Sequence, residues 1–238
     1  MPPLFLPRFK ALTFDCYGTL IDWERGILRA LRRILKRHGV SASDREILGL
    51  YSRLEPEIER PPFKRYRKVL SEVVRGFGRT LGFKPTEAEV SSLARSVRDW
   101  PPFPDTVAAL RALRRRYRLV IVSNVDKDLF QGSARRLRVP FDLVVTAQEA
   151  RSYKPSLNNF RLALGRIHST FGLGKAEVLH VAQSLHHDHV PAKRLGLKTV
   201  WVNRRKGKEG SGATPPSRAR PDLEVPDLIT LAKKAGLA

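Results

Sequence analysis

Short apolar segments alternate with helical ones along most of this chain, and this alternation restricts the fold more than any other feature. Continuous apolar strands separated by helices are typical of a parallel sheet that helices cover on both faces. The chain therefore predicts an α/β fold with a Rossmann-like, doubly wound parallel sheet as its core. The predicted strands are residues 12–15, 118–123, 141–146, 178–182 and 199–203, with 223–225 as a last edge strand.

A long helical stretch separates the first predicted strand from the second. Apolar residues recur there at helical spacing in segments 26–35, 66–81 and 87–100. The stretch is too long for a simple crossover between neighbouring strands. We therefore expect a core of residues 1–22 and 102–238, with a helical cap of residues 23–101 inserted after the first strand. The segment 204–220, rich in Gly, Ser, Pro and charge, predicts a mobile loop.

The formal net charge of +22 raises the question of which partners this chain of 238 residues attracts. The basic excess is shared between the predicted cap and core, whereas nucleic-acid binders usually gather it on one face with interleaved aromatics. We therefore expect attraction of a small anionic substrate and no specific nucleic-acid partner. No apolar run approaches the roughly 18 residues of a membrane span, so no membrane partner is expected. A short leader and a single cysteine, Cys16, favour the cytoplasm.

Polar residues follow four successive predicted strands. In open α/β sheets ligands bind at the carboxyl edge of the strands, and a carboxylate placed there can act as a covalent nucleophile. Each residue alone also fits an ordinary role, such as a turn former, a surface lysine or a helix cap. The residues in question are Asp15 after the first strand, Ser123 and Asn124 after the second, Lys154 beyond the third and Asp188 beyond the fourth.

Taken together, these segments resemble the haloacid dehalogenase superfamily. The form Asp15-x-Tyr-Gly-Thr19 is similar to its 2-haloacid dehalogenase (type II) branch. The resemblance spans nearly the whole chain, including the cap after the first strand. It is carried by residues 14–22, 121–124, 153–155 and 180–197, and residues 199–204 extend it.

Two substitutions favour the dehalogenase branch over the phosphatases of the superfamily. Phosphatases carry a second Asp two residues after the nucleophile, which protonates the departing alkoxide; here that residue is Tyr17. Losing a general acid costs roughly 10²–10⁴-fold in rate, whereas a halide leaves without a proton. Gln183 stands where an acid would help to bind Mg²⁺, so we expect no metal and no cofactor. The alternative is a Mg²⁺-dependent phosphatase, built on Asp15 and Asp188, that acts on a small phosphate ester.

The resemblance implies a two-step hydrolysis of a short 2-haloacid. Asp15 attacks C2 and expels halide to leave an ester, and water oriented by Asp188 then releases the 2-hydroxy acid. Lys154 keeps Asp15 ionised and aimed. The implied residues that bind the substrate or the nucleophile are Tyr17, Thr19, Ser123, Asn124 and, as the halide cradle from the cap, Arg53.

Three further hypotheses, on a metal site, on a function without catalysis and on oligomeric state, stay open. His186, His187 and His189 invite a metal site, but only residues three or four apart share a helix face, so at most two of them converge. A binding module that keeps the fold without efficient chemistry would dock acidic partners through its charge. A homodimer is one assembly that the chain could form.

Overall fold

The computed structural model describes residues 4–207 and 212–238, and in these residues a single six-stranded sheet forms the centre of the molecule. Every strand pair is parallel, in the order β3-β2-β1-β4-β5-β6. The predicted doubly wound α/β sheet is confirmed. Its strands are β1 (Ala11–Phe14), β2 (Arg118–Ser123), β3 (Leu143–Thr146), β4 (Val178–Ala182), β5 (Lys198–Val202) and β6 (Leu223–Val225).

Among the described residues, five α-helices lie between β1 and Pro101, and six more follow. The first group is α1 (Trp23–Arg37), α2 (Asp44–Ile58), α3 (Tyr66–Leu81), α4 (Glu87–Val90) and α5 (Ser92–Ser96). The second group is α6 (Thr106–Leu113), α7 (Lys127–Leu137), α8 (Ala147–Ala150), α9 (Leu157–Phe171), α10 (Val190–Arg194) and α11 (Leu228–Lys234). Among the described residues, no helix is long and apolar enough to cross a bilayer.

The predicted helix 87–100 is interrupted in the structure. It forms α4, α5 and a 3-10 turn, Val97–Asp99. Ser91 lies at the first break, and its hydroxyl donates back to the carbonyls of Glu87 and Ala88, both at 3.1 Å. Such local hydrogen bonds compete with the helical ladder, which explains a break that apolar spacing alone does not reveal.

The chain leaves the sheet and returns to it along two adjacent segments. The amide of Asp22 donates to the carbonyl of Pro101 at 2.8 Å, and Ile21 pairs antiparallel with Pro102. The boundaries expected at residues 22 and 102 fall on this pairing. The division into core and cap itself stays a prediction, and we call α1–α5 the helical insert.

Strand order brings the turns after β1, β2 and β4 together. β1 lies between β2 and β4, and Phe14 is in register with Ile121 and Val181. The turn after β1 needs Gly18, whose φ is +93° and whose added Cβ would lie 3.0 Å from Nε1 of Trp23. In sheets of this kind ligands bind at the switch point, where successive strands begin to be added on the other side of the first strand.

In the segment 204–220, the described residues on both sides of 208–211 make more contacts with the rest of the protein than the composition predicts. Residues 208–211 of this predicted loop lie outside the described residues. On one side of them, Arg204 donates to Asp105 at 2.7 Å and lies 4.2 Å over the ring of Phe103. On the other side, the amide of Ala213 donates to Glu24 at 2.9 Å. Polar residues that look like solvated loop in the sequence therefore anchor this segment to the helical insert and the core.

Candidate active site

A small cavity of about 40 Å³ lies beyond the carboxyl ends of β1, β2 and β4. Both the core and the helical insert contribute side chains to it. Its lining residues are Asp15, Tyr17, Ser123, Asn124, Lys154, Ser184, His187, Asp188 and Thr214 from the core, with Trp23, Glu55 and Tyr66 from the insert.

Asp15 is fixed at both carboxylate oxygens and still reaches the cavity. Its Oδ1 accepts from Nζ of Lys154 at 2.9 Å, and its Oδ2 accepts from the hydroxyl of Thr19 at 2.7 Å. The Thr19 oxygen also accepts from the amide of Gln183 at 2.9 Å, so Thr19 orients Asp15 and does not line the cavity. Burial and the charge of Asp188 raise the pKa of Asp15, against the opposing effect of Lys154.

Lys154 is the ion at the centre of the site. Its ammonium donates to Oδ1 of Asp15 at 2.9 Å, to Oδ1 of Asp188 at 2.6 Å and to the carbonyl of Val122 at 2.9 Å. These contacts use all three hydrogens of the ammonium. Burial would lower the pKa of Lys154, but the two carboxylates outweigh it and raise that pKa. Lys154 therefore stays charged.

Asn124 holds the backbone of Lys154 in place. Its Oδ1 accepts from the Lys154 amide at 2.7 Å, and its Nδ2 donates to the Lys154 carbonyl at 3.1 Å. Ser123 behaves differently, because its Oγ is buried at the cavity without a hydrogen-bond partner among the described residues. Ser123 is thus a free hydrogen-bonding group for a ligand, and Asn124 first of all positions Lys154.

Asp188 owes its charge to an ion pair and a histidine. Its Oδ1 accepts from Lys154 and, at 3.1 Å, from Nε2 of His180. Burial alone would raise the pKa of Asp188, but these two partners hold it far below the usual range. Asp188 lies in a short π-helical turn, Leu185–His189. Its Oδ2 is buried without a partner within the described part of the chain.

His180 is a member of the site that the sequence analysis missed. It lies within β4, where Thr13 Oγ1 contacts its Nδ1 at 2.9 Å. Because the Asp188 carboxylate can only accept, Nε2 of His180 must carry a hydrogen. A histidine inside an otherwise apolar strand, Val178–Ala182, was the signal that could have revealed it.

Tyr17 lines the cavity, as expected, and is held on two sides. Its hydroxyl lies 2.9 Å from Oγ of Ser133, and its ring packs edge-on against Trp100 at 5.7 Å. Burial raises the pKa of Tyr17 well above its usual value, so the phenol stays neutral.

Arg53 does not reach the cavity, and the expected halide cradle is corrected accordingly. Its side chain is exposed and absent from the lining, where Glu55 is found instead. Two residues along a helix correspond to about 200° of rotation, so Arg53 and Glu55 lie on opposite faces of α2. Tyr51 shares the inner face with Glu55 and donates to its Oε1 at 2.9 Å, and Tyr66 donates to the same oxygen at 2.6 Å. A tyrosine and an acid spaced four residues apart were the available signal.

The residues at this edge do not fit a Mg²⁺ ion. The ammonium of Lys154 already lies between the carboxylates of Asp15 and Asp188. Tyr17 and Gln183 supply no carboxylate, and Oε1 of Gln183 accepts from Thr214 at 3.3 Å. His189, from the histidine trio, donates from Nε2 to the carbonyl of Ala182 at 3.1 Å.

Comparison with known proteins shows the family to which this chain belongs. The family model of haloacid dehalogenase-like hydrolases matches residues 9–195. Haloacetate dehalogenase H-2 of Moraxella sp. (strain B) is 26% identical over 205 residues, covering 84% of this chain and 88% of that protein. The (S)-2-haloacid dehalogenase of Xanthobacter autotrophicus is 28% identical over 199 residues, covering 82% and 75%. The solved structure of L-2-haloacid dehalogenase from Xanthobacter autotrophicus matches with a TM-score of 0.74 at 24% identity, covering 97% of this chain and 100% of that one, which supports the fold. Because the family model covers most of the chain, this protein belongs to the haloacid dehalogenase-like hydrolases.

Proposed function

We propose that this hydrolase cleaves the carbon–halogen bond of a short 2-haloacid and releases the 2-hydroxy acid, through an ester on Asp15. The observation that carries the proposal is the Asp15–Lys154–Asp188 cluster, in which an ammonium holds the nucleophile from inside the protein. Residue 17 offers no carboxylic acid to protonate an alkoxide. The relatives that bear dehalogenase names support the same chemistry.

In the first step an oxygen of Asp15 forms a bond to C2, and the carbon–halogen electron pair leaves with the halide. Lys154 and Thr19 fix the carboxylate, so little orientational freedom is lost on reaching the transition state. Burial raises the pKa of Tyr17, so its phenol is a poor proton donor. This does not hinder the reaction, because the halide departs without a proton.

The substrate carboxylate needs hydrogen-bond donors, and the hydroxyl of Ser123 is free to supply one. Lys154 has no hydrogen left for the substrate, so it contributes only its charge. Trp23 and Tyr17 provide apolar walls for a short carbon chain.

In the second step water attacks the carbonyl carbon of the ester, the 2-hydroxy acid leaves, and one proton passes to solvent. The unpartnered Oδ2 of Asp188 suits it to accept a hydrogen bond from that water. The very low pKa of Asp188 makes it an orienting group and a weak base. No step in this scheme uses a metal or a cofactor.

The proposal is tested by halide release from chloro-, bromo- and fluoroacetate in the presence of a chelator. We expect release that the chelator does not change and that the Asp15→Asn variant abolishes. A panel of phosphate esters serves as the counter-assay. Turnover of a phosphate ester that the chelator abolishes, without halide release from any haloacid, would establish the phosphatase alternative instead.

A further inference from the structure

Charges around the cavity conflict with binding of a small anion. Three carboxyl groups line it, those of Asp15, Asp188 and Glu55, and Lys154 is the one cation among the lining residues. All three hydrogens of Lys154 are engaged by the protein. Burial lowers the pKa of His187 to about 4, so that side chain is neutral near pH 7. With all carboxyls ionised, an approaching anion would meet three negative charges and a single positive one.

Glu55 is the carboxyl whose surroundings favour the neutral form. Its side chain is nearly buried, with an exposed fraction of 5%. Both phenol donors bind one oxygen, Oε1, from Tyr51 at 2.9 Å and from Tyr66 at 2.6 Å. The hydrogen bonds of Glu55 among the described residues both end on Oε1, which leaves Oε2 without one. A carboxylic acid arranged this way keeps Oε1 as its carbonyl oxygen and carries its hydrogen on Oε2.

Among the described residues no cation pairs with Glu55, because the ammonium of Lys154, which faces it, is bound by Asp15 and Asp188. Burial raises the pKa of Glu55, although the two phenol hydrogen bonds oppose the change. From the turn directly after α2, Glu59 also has a pKa raised well above its usual value by burial and by Glu55. The neighbouring phenols all have raised pKa values and stay neutral; they are Tyr51, Tyr66 and Tyr153. On the core side the facing ions are Asp15, Asp188 and Lys154. Asp126, the residue before α7, accepts from the amides of Tyr66 and Arg67 at the start of α3 and is paired with Arg65.

We propose that Glu55 acts as a neutral carboxylic acid whose Oε2–H donates a hydrogen bond to a small anion in the cavity. In the reaction this anion is the departing halide, and this part of the inference rests on the proposed function. The carbon–halogen electron pair leaves with the halide, and the proton stays on Glu55. Ionisation of Glu55 removes the donor and adds a negative charge, so anion binding and the first chemical step weaken as pH rises through its pKa.

Chloride binding tests the inference without any turnover. The ³⁵Cl NMR linewidth is measured at constant ionic strength from about pH 5 to about pH 9, a range that spans the pKa values of buried glutamates. Glu55→Ala gives the reference linewidth, without the Glu55 donor. For the wild type, we expect broadening in excess of this reference at low pH and no excess at high pH. Glu55→Gln, which keeps a donor without titrating, should show the excess at both ends of the pH range. The inference is overturned if wild type and Glu55→Ala give the same broadening throughout.

The pH profile of the first turnover gives a second readout. Wild-type halide release should fall about tenfold per pH unit on the alkaline side, whereas Glu55→Gln should have no such limb. Glu57→Gln is the matched control, because Glu57 is exposed on the same helix, and it should keep the wild-type profile. Far-ultraviolet circular dichroism verifies that each variant is folded.

The two proposals fail in different ways. If no haloacid releases halide, the proposed function is wrong, and the chloride titration still decides the role of Glu55. If halide is released but Glu55→Gln retains the alkaline limb of the wild type, the function stands and the inference about Glu55 is wrong.

Discussion

The cavity has two walls, and one buried acid on each, Asp188 and Glu55, shows a pKa shift opposite to the other's. On the core wall, formed by Asp15, Lys154 and Asp188, an ammonium lies between two carboxylates, and the pKa of Asp188 is far below its usual range. On the helical wall Glu55 and Tyr66 line the cavity and Tyr51 supports Glu55; this carboxyl has only phenol partners, and its pKa is raised. Asp188 and Glu55 are both buried, so the charge of the partner decides in which direction the pKa of each one shifts. Asp15 is an intermediate case, because burial and Asp188 outweigh Lys154 and raise its pKa.

Removal of the Lys154 ammonium is expected to have the largest effect on this contrast. Lys154→Met leaves Asp15 and Asp188 facing each other as buried carboxylates without a counter-ion. We expect the free energy of unfolding to fall by about 3–5 kcal/mol, together with loss of halide release. Urea unfolding near neutral pH measures the effect.

The double variant Lys154→Met/Asp188→Asn controls for lost packing. It should recover part of the stability, because one of the two unpaired charges is gone. A Lys154→Met protein within about 1 kcal/mol of wild type would mean that the core wall is not held by this ion pair.

Acid should destabilise the core side through His189. This imidazole is fully buried, and burial lowers its pKa to about 4. Since the unfolded chain binds the proton near the usual pKa of 6.5, stability is complete above that pH and declines as the pH falls towards 4. The expected loss is about 3 kcal/mol.

Unfolding free energies of wild type and His189→Gln, measured from about pH 7 to about pH 4, give the size of this contribution. The variant can still donate to Ala182 but does not titrate, so its curve should be flatter. Parallel curves would contradict the buried neutral imidazole.

Alkali should destabilise the helical wall through Glu55. Its raised pKa means that the folded state holds a proton which the unfolded chain releases. The stability gained from this group is complete below the usual pKa of a glutamate and is lost as pH rises through the folded value. Glu55→Gln should therefore gain on wild type by up to about 1.4 kcal/mol per pH unit. Unfolding curves at a series of pH values measure the difference, and a constant difference would mean that Glu55 is ionised throughout.

The smallest expected effect on stability is that of Ser123→Ala, and this variant distinguishes a contact with the ligand from a structural contact. Ser123→Ala removes a buried hydroxyl that has no partner among the described residues, so the free energy of unfolding should change by less than about 0.5 kcal/mol. KM for a haloacid should rise about tenfold with little change in kcat, because a hydrogen bond to a charged group is lost. Steady-state kinetics and urea unfolding together check both statements. A large loss of stability would place Ser123 in the fold and not in substrate binding.

The sequence predicts the core wall better than the helical wall, for a physical reason. Strands β2, β4 and β6 begin and end as predicted, and the others differ by one or two residues. Because parallel strands end at one edge, Asp15, Lys154 and Asp188 had to converge once the sheet was assigned. The strand segments and the polar residues that follow them are local signals, and from these the core wall could be predicted.

The helical wall depends on the rotation of a single helix. Residues 53 and 55 of α2 are equally available in the sequence, and only packing against the core decides that Glu55 faces inward. His180 was missed because a lone histidine in an apolar strand is usually read as core. Thr214 was missed because its segment reads as a solvated loop, yet its side chain is buried at the cavity.

The central claim is that the Asp15 carboxylate itself forms the bond to carbon. Its most direct test is a single turnover in ¹⁸O-water with enzyme in excess over bromoacetate, followed by mass spectrometry of the peptide that contains residue 15. The account predicts ¹⁸O in the Asp15 carboxylate and none in the hydroxyl of the first-turnover product. Stoichiometric bromide release with ¹⁸O in the product hydroxyl and an unlabelled Asp15 peptide would contradict it.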